Sequence, residues 1–554
     1  MIKIRLKQVI LDIWNELSNN AEISFQIEIP PAKIEADYAV NICMIGAKLL
    51  KKSPHALAQR FIEKINELKE AKDIIKKASI AGPGFLNIIL NKKIYYDELC
   101  QIFDNGSEYG KEAQGIKQRV LIEFVSANPT GPLHIGHGRG AVLGDTLSRL
   151  LHAKGFEVVK EYYVNDSGNQ IDVLAKSLEI RLRQVRGEKI VLPEDYYKGD
   201  YIIDIAKKIN HDFGQDKDIT SLDFKKAALD NILELIKKDL REFGIEYNSW
   251  FYESDLFIKK DGMSPIERVL EILKTKKYLE KHDNAWWLLT KEQEHDDKNR
   301  VVVREDGRPT YFCTDIAYHD LKYKRGFDKL INIWGADHHG YVPRLKAVVD
   351  YMGYNPESLK IVLYQLVSLI RKGKKAAMST RGGEFVTLKE VLDEVGSDVT
   401  RFFLLMRSSD NPMDFDLDLA KKQSNDNPVY YIQYAHARIA SIYREARDDY
   451  KDYIDEAKNT LETLLNEAEE MKVIKMLVQF PDIIDVCVRD LAPHYMTVYL
   501  LDLAKTFHHY YTKHRILLSD DKMRAGARLI LCHTVAEIIK SGLNLLGISA
   551  PERM

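Results

Sequence analysis

The run Asn128-Pro-Thr-Gly-Pro-Leu-His-Ile-Gly-His-Gly138 gathers more chemistry-bearing residues than any other stretch of the chain. His134 and His137 are three apart, so in the first turn of a helix they share one face. Two imidazole donors above a helix N-terminus suit a phosphate, whose charge that terminus already favours. Gly136 and Gly138, after Pro132, would let an adenine or a phosphate approach the backbone. A bare HxGH is a weak signal, and its setting strengthens it. Before it stands Val120-Leu-Ile-Glu-Phe-Val125, a short apolar run that suits a strand buried on both faces. After it, Leu143, Leu147, Leu150 and Leu151 mark one face of a helix from about His137 to Lys154, with Gly155 placed to cap it. A second strand from Phe156 to Val164 completes a β-α-β unit, the place where open sheets bind nucleotides.

The elements around this unit divide the chain in three. Residues 1–112 open with an amphipathic helix, continue with a helix-like stretch from Pro54 to Lys77, and reach the strand Phe85-Leu-Asn-Ile-Ile-Leu90 through a Gly-Pro-Gly turn. Residues 113–426 carry the β-α-β unit and later strands at Leu330 to Trp334 and Ile361 to Val367, the alternation of a Rossmann-type parallel sheet. Residues 177–300 read as a charged, mostly helical insertion between its halves. Residues 427–554 are helical throughout, with Leu500, Leu503, Ala504, Phe507 and Tyr511 on one stripe. The expected fold class is α/β: a parallel-sheet catalytic domain with a helical insertion, a small α+β N-terminal domain and an all-helical C-terminal domain.

Composition narrows the class further. At about 150 residues per domain, 554 residues predict three or four domains. With 45% hydrophobic and 30% charged residues the chain is neither disordered nor a disulfide-stapled miniprotein. The 81 basic and 83 acidic residues leave a net charge of −2, which excludes a uniformly basic protein but not a local basic face. Five scattered cysteines without a CxxC pair argue against a structural zinc site and for reduced thiols in a cytoplasmic compartment. No run of about 18 apolar residues is present, so no membrane span is expected.

On these residues the chain resembles the class I aminoacyl-tRNA synthetases, whose HIGH signature stands here as His134-Ile-Gly-His137. More narrowly it is similar to the arginyl-tRNA synthetases. Four stretches carry that resemblance: Tyr163-Val-Asn-Asp-Ser-Gly-Asn-Gln170, the segment from Val303 to Tyr318, Ala377-Met-Ser-Thr-Arg-Gly-Gly383, and Asn427-Pro-Val-Tyr-Tyr-Ile-Gln-Tyr-Ala-His-Ala-Arg438. The resemblance implies activation of L-arginine by ATP with its Mg²⁺ and transfer to the 3′ end of tRNA(Arg), with activation dependent on bound tRNA. No protein-bound structural metal is expected, and the chain is expected to act as a monomer.

A guanidinium is a planar fork of donors, best met by carboxylates. Asp315 stands one helical turn after Tyr311, so a hydroxyl and a carboxylate can converge. By resemblance, Tyr311, Asp315 and Glu253 face the guanidinium, Glu123 and Asn128 hold the α-amino and carboxylate groups, and Asp166 and Gln170 complete the arginine site. Asp337 and His338 follow a predicted strand and should line the ATP end, with Met378. The mobile-loop signature KMSKS is altered: Ala377 and Thr380 replace its two lysines, leaving Ser379. Lys374 or Lys375, just upstream, is the expected substitute cation. For tRNA, Phe85 and Asn87 share one face of a strand and suit an unpaired base, which the resemblance implies belongs to the D-loop, while Tyr434 and Arg438 suit anticodon bases. Two alternatives are another class I nucleotidyltransferase acting on a small acid, and an RNA-binding paralogue with a dead site. The flanking units disfavour the first, and the intact His134, His137 and Asp315 disfavour the second.

Overall fold

In the computed structural model, residues 1–31, 33–112, 118–214, 218–290, 298–375 and 386–554 are described. Met378 and Ser379, with Ala377, Thr380 and Arg381, lie outside them.

The central sheet has five parallel strands: β1 (Arg119–Glu123), β2 (Glu157–Val164), β3 (Ser249–Tyr252), β4 (Lys329–Gly335) and β5 (Leu359–Tyr364). Their order is β5-β4-β1-β2-β3, so the winding reverses between β1 and β4 and opens a crevice at their C-terminal ends. Val120, Leu121 and Ile122 are buried on both faces, as helices cover the sheet on each side. The helix Ile135–Ala153 packs against it very closely. A Cβ on Gly144 would sit 2.2 Å from the Phe124 ring, and one on Gly140 would sit 2.9 Å from Tyr364.

Several expectations need correction. The stretch from Pro54 to Lys77 is not one helix: it breaks at Leu68, and Ile75–Ala81 is a strand paired with Phe85–Leu90. The insertion contains the expected helices, Asp200–Phe213, Phe224–Glu242 and Pro265–Thr275, but also strands: Ser249–Tyr252 is an edge strand of the central sheet, and Leu279–His282 and Ala285–Leu288 build a separate antiparallel sheet with Arg300–Val303, which begins at its end. The apolar run Ile361 to Val367 is divided: β5 ends at Tyr364, and Val367–Arg371 pairs in a different sheet, leaving Leu366 between them 82% exposed.

The C-terminal unit is helical, centred on Lys522–Leu545, which is buried around most of its circumference. It docks on both other units. Tyr38 donates to Asp482 at 2.8 Å and Lys475 reaches Asp37 at 2.7 Å, tying it to the N-terminal sheet. No helix among the described residues is long and apolar enough to cross a membrane.

Asp145, fully buried on the Ile135–Ala153 helix, accepts from Arg401 (2.6 Å), Arg149 (2.7 Å) and Lys160 (3.0 Å). Burial opposes its charge, yet the three cations hold its carboxyl below the ordinary aspartate value. Arg401 also donates to the carbonyls of Phe243 (3.0 Å) and Leu546 (2.9 Å). Replacing Arg401 by leucine should therefore cost about 3–5 kcal/mol, because it takes a donor from each of two carbonyls and leaves a buried charge short of a partner. Calorimetric unfolding of Arg401→Leu measures this, and a loss under about 1 kcal/mol would contradict it.

Candidate active site

The crevice is a cleft of about 590 Å³ at the C-terminal ends of β1, β2, β4 and β5. His134 is the N-cap of the Ile135–Ala153 helix. Its Nδ1 accepts from the His137 amide at 3.3 Å, and the His137 Nδ1 accepts from the His134 amide at 3.4 Å. With both Nδ1 atoms acting as acceptors, the protons are assigned to Nε2, and each ring carries one free donor. The rings stack at 3.7 Å. Burial pushes His134 below its ordinary value and, with His134 beside it, pushes His137 down to about 3. Both imidazoles are thus neutral donors at physiological pH. The segment after residue 385 is fastened to this turn, as the Leu388 amide donates to the Leu133 carbonyl at 2.7 Å.

Glu123, the last residue of β1, has one oxygen 2.5 Å from the buried Lys322 ammonium, and its other oxygen accepts from Ser126 at 3.1 Å. The turn that follows is strained: Val125 and Ser126 have φ of 67° and 40°. Asp315 faces the same cleft from the helix Tyr311–Lys324. The hydroxyl that reaches it is that of Tyr341, at 2.5 Å; Tyr311 stands at the cleft mouth, 55% exposed. Burial pushes Asp315 up to about 7, with Glu123 and Glu253 adding to the rise and Tyr341 and Lys322 opposing it. Burial likewise raises Glu253. Glu123 and Asp315 line this end of the cleft, and Glu253 lies off the lining, near enough for its charge to act on Asp315.

The structure gathers Glu123, Asn128, His134, Gly136, His137, Tyr311, Asp315, Asp337 and His338 on one lining. Gln170 reaches it through the Asn128 amide, at 3.0 Å. Asp166 is engaged locally, accepting from the Ser254 amide (2.9 Å) and hydroxyl (2.6 Å). Pro132 is half-buried off the lining. Gly138 is a correction: it faces the protein interior, where a Cβ would meet Leu388 at 2.9 Å, so it serves helix packing and not ligand approach. Lys374 and Lys375 lie on an exposed hairpin, with Lys375 3.7 Å from Asp414. The sequence reading missed Tyr341 and Lys322, which act through distant partners, and Tyr163, which lines the cleft.

Away from the cleft, Phe85, Asn87 and Ile89 form the half-exposed face of their strand, while Leu86, Ile88 and Leu90 face the core. Phe85 is therefore available for contact. Arg438 donates to the Tyr434 hydroxyl at 2.7 Å, and its guanidinium lies 4.6 Å from the Tyr434 ring and 4.7 Å from the Tyr511 ring. The two sides of this cluster line a second cavity of about 460 Å³.

Known proteins share this layout. Residues 98–412 match the family model described as tRNA synthetases class I (R), catalytic domain. Residues 2–90 match the arginyl tRNA synthetase N terminal domain, and residues 432–554 match the DALR anticodon binding domain. The arginine–tRNA ligase of Citrifermentans bemidjiense is 47% identical, covering 96% of this chain and 95% of its own. The chain belongs to the arginyl-tRNA synthetases. The arginine–tRNA ligase of Geobacillus thermodenitrificans is 41% identical over 95% of this chain and 94% of its own. A solved arginyl-tRNA synthetase from Campylobacter jejuni covers 84% of this chain and all of its own, with 36% identity and a TM-score of 0.76. The Thermus thermophilus arginyl-tRNA synthetase, 21% identical, covers both chains fully at a TM-score of 0.76 and shares the fold. Arginyl-tRNA synthetases of class I are ATP-dependent ligases, and the stacked histidines and acidic pocket lie within the matched catalytic domain.

The elevated Asp315 has a sign that can be measured. Its folded value near 7 lies above the ordinary 3.9 of aspartate, so the folded state holds the extra proton between these limits. Its contribution to stability is complete below about pH 4 and is lost as pH rises toward 7. A cationic ligand that needs the carboxylate must expel that proton. Arginine titrated calorimetrically at pH 6.5, in two buffers of different ionisation enthalpy, should release a sizeable fraction of a proton. Identical heats in both buffers would contradict this.

Proposed function

We propose that the cleft forms arginyl-adenylate from L-arginine and ATP and then esterifies the 3′ end of tRNA(Arg). The observation that carries this reading is the pairing, in one cleft, of two neutral imidazole donors with an acidic end whose carboxylates outnumber its one buried cation, Lys322.

The arginine guanidinium enters at Asp315, with Glu253 behind it and Tyr311 closing over it, while Glu123 with Asn128 faces the α-amino end. A cation there meets charge already stored in a desolvated pocket, where ion pairing is strongest. Asn128, backed by Gln170, takes the carboxylate and α-amino end. This leaves the substrate carboxylate pointing toward the histidines. ATP lies over the helix N-terminus, with Gly136, Asp337 and His338 beside it. As the arginine carboxylate oxygen bonds to the α-phosphorus and the bond to pyrophosphate breaks, negative charge grows on the α-phosphate oxygens. The Nε2 donors of His134 and His137 stabilise that charge without gaining or losing a proton. Magnesium carried with ATP offsets part of the pyrophosphate charge. Among the described residues no group of three or more His, Cys, Asp or Glu side chains is placed to hold a metal ion of its own.

For the remaining charge on the leaving group we assign Lys374 or Lys375. Both are exposed on the hairpin that leads into residue 376, so closure over the cleft needs no buried contact to be broken. The Phe85 and Asn87 face takes a D-loop base, and Tyr434 with Arg438 takes anticodon bases. Residues 1–112, 113–426 and 427–554 are the three working units, acting as a cytoplasmic monomer.

ATP–pyrophosphate exchange with arginine, with and without tRNA(Arg), tests the reading as a whole; no exchange under either condition would sink it. His134→Asn and His137→Asn should each lower the adenylation kcat by about 10²–10³ while the ATP KM changes little, since the interaction is made mainly in the transition state. Unchanged exchange rates would remove them from the chemistry. Lys374→Ala and Lys375→Ala, singly and together, should lower kcat with arginine KM nearly constant, against Lys372→Ala as control. Normal exchange by the double variant would assign the charge elsewhere.

A further inference from the structure

Asp315 keeps one oxygen engaged and the other open. Its Oδ2 accepts from the Tyr341 hydroxyl at 2.5 Å. Its Oδ1 has no hydrogen-bond partner among the described residues and is not closed off, since the residue is half-buried and lines the cleft. The terminal torsion of an aspartate is broad and nearly two-fold, so a carboxylate held at neither oxygen would swing.

The hydroxyl that stops it is itself held. Tyr341 ends the short turn Ala336–Tyr341, which follows β4, and it lines the same cleft. Its ring meets Phe312 edge-on at 5.7 Å and Trp334 at 5.9 Å, and the Arg344 guanidinium lies 5.9 Å over it. Phe312 is buried on the helix that carries Asp315, so ring and carboxylate are fixed by one wall. The other groups around Asp315 act on it without a hydrogen bond. Burial, Glu123 and Glu253 oppose its charge, and Lys322 favours it. The phenol of Tyr311, pushed up by the Asp315 charge and by burial, stays neutral, as does that of Tyr163, pushed up by burial and the nearby carboxylates. His319 bonds the Asp315 carbonyl at 2.8 Å through Nδ1, and burial keeps its ring neutral.

We propose that Tyr341 is a positioning residue of the arginine site: its hydroxyl pins Oδ2 of Asp315 and so leaves Oδ1 turned to the cleft for a guanidinium N–H. The inference rests on reading Asp315 as the guanidinium partner and assigns the group that prepares it. The hydroxyl acts on direction and on charge together. A donor on one oxygen favours the ionised carboxylate, and a guanidinium, which has donors only, needs that form. A protonated Asp315 would set a donor against a donor.

Tyr341→Phe removes the hydroxyl and keeps the ring. In tRNA-supported pyrophosphate exchange, the acid limb of kcat/KM for arginine should move up by about one pH unit. The sign follows from the bond: losing a donor to the charged form lets Asp315 keep its proton to higher pH. At pH 6.5 the arginine KM should rise about tenfold, and by pH 9 the gap to the parent should narrow. The kcat at saturating arginine and the ATP KM should stay nearly constant, which also reports an intact fold. Asp315→Asn is run beside it. If Asp315→Asn abolishes arginine use and Tyr341→Phe moves neither the arginine KM nor the acid limb, the role of Tyr341 is overturned while the arginine site stands. If neither variant affects arginine, the site itself is misplaced. A fall in kcat with an altered ATP KM and an unmoved acid limb would show a merely structural tyrosine and would also overturn the proposal.

Discussion

The buried charge of Asp145 sets the alignment of the molecule. A carboxylate removed from water must be surrounded by donors, and here they arrive from three directions. Arg149 belongs to its own helix, Lys160 to β2, and Arg401 to the helix Ser397–Leu405 that leads toward the C-terminal unit. Arg401 spends its other donors on Phe243 and Leu546, so one guanidinium joins the insertion, the helix that carries the histidines and the end of the chain. Gly547 is required beside it, with φ of 71° and with a Cβ position only 2.3 Å from the Arg401 Nη2. Arg139, on the same helix and equally buried, holds the carbonyls of Gln365, Ser408 and Asn411. The helix is therefore fixed at two points, and His134 and His137 inherit that fixity.

The acidic end follows a different logic. Glu123 has a permanent internal counter-ion in Lys322, which is fully buried and also touches Asn332 at 3.2 Å. Asp315 has only the Tyr341 hydroxyl. The unliganded cleft thus has more carboxylates about it than cations, and its preference for a positively charged side chain follows from that imbalance before any shape is considered. The strained turn at Val125 and Ser126 is held from several sides: Tyr247 donates to the Phe124 carbonyl at 3.0 Å, Tyr162 to the Ala127 carbonyl at 2.9 Å, and the Ser126 hydroxyl accepts from the Tyr163 amide at 3.1 Å. Two aromatic hydroxyls and a backbone donor thereby hold a conformation that the turn would not adopt alone.

The local parts of this site could be read from the sequence, and the distant ones could not. His134 and His137 are legible because strand, turn and helix follow one another without interruption. The Asp315 position is legible because it shares a helix turn with Tyr311. Lys322 is not: its partner Glu123 lies 199 residues away, and a lysine on a charged helix reads as a surface residue. Tyr341 and Tyr163 look like ordinary aromatic residues until the sheet brings them to Asp315. The strand Ser249–Tyr252 is hidden by its length of four residues and its half-buried edge position. Gly138 was mistaken because spacing alone does not tell a glycine that admits a ligand from one that admits a leucine.

The contacts between the first and last units have a consequence for the order in which the protein is made. Tyr38 and Asp482 are 444 residues apart in the chain, and Tyr96 bonds the carbonyl of Leu465 across 369. At about 5–20 residues per second, the N-terminal unit leaves the ribosome tens of seconds before the helices that cover it. Through that interval its docking face is open to water, including the aromatic side chains of Tyr95 and Tyr96 that later become buried. In the finished molecule the last unit covers that face, while the nascent chain is a small sheet waiting for its counterpart. Its vulnerability to misassembly is therefore concentrated during synthesis and ends when the last helices dock.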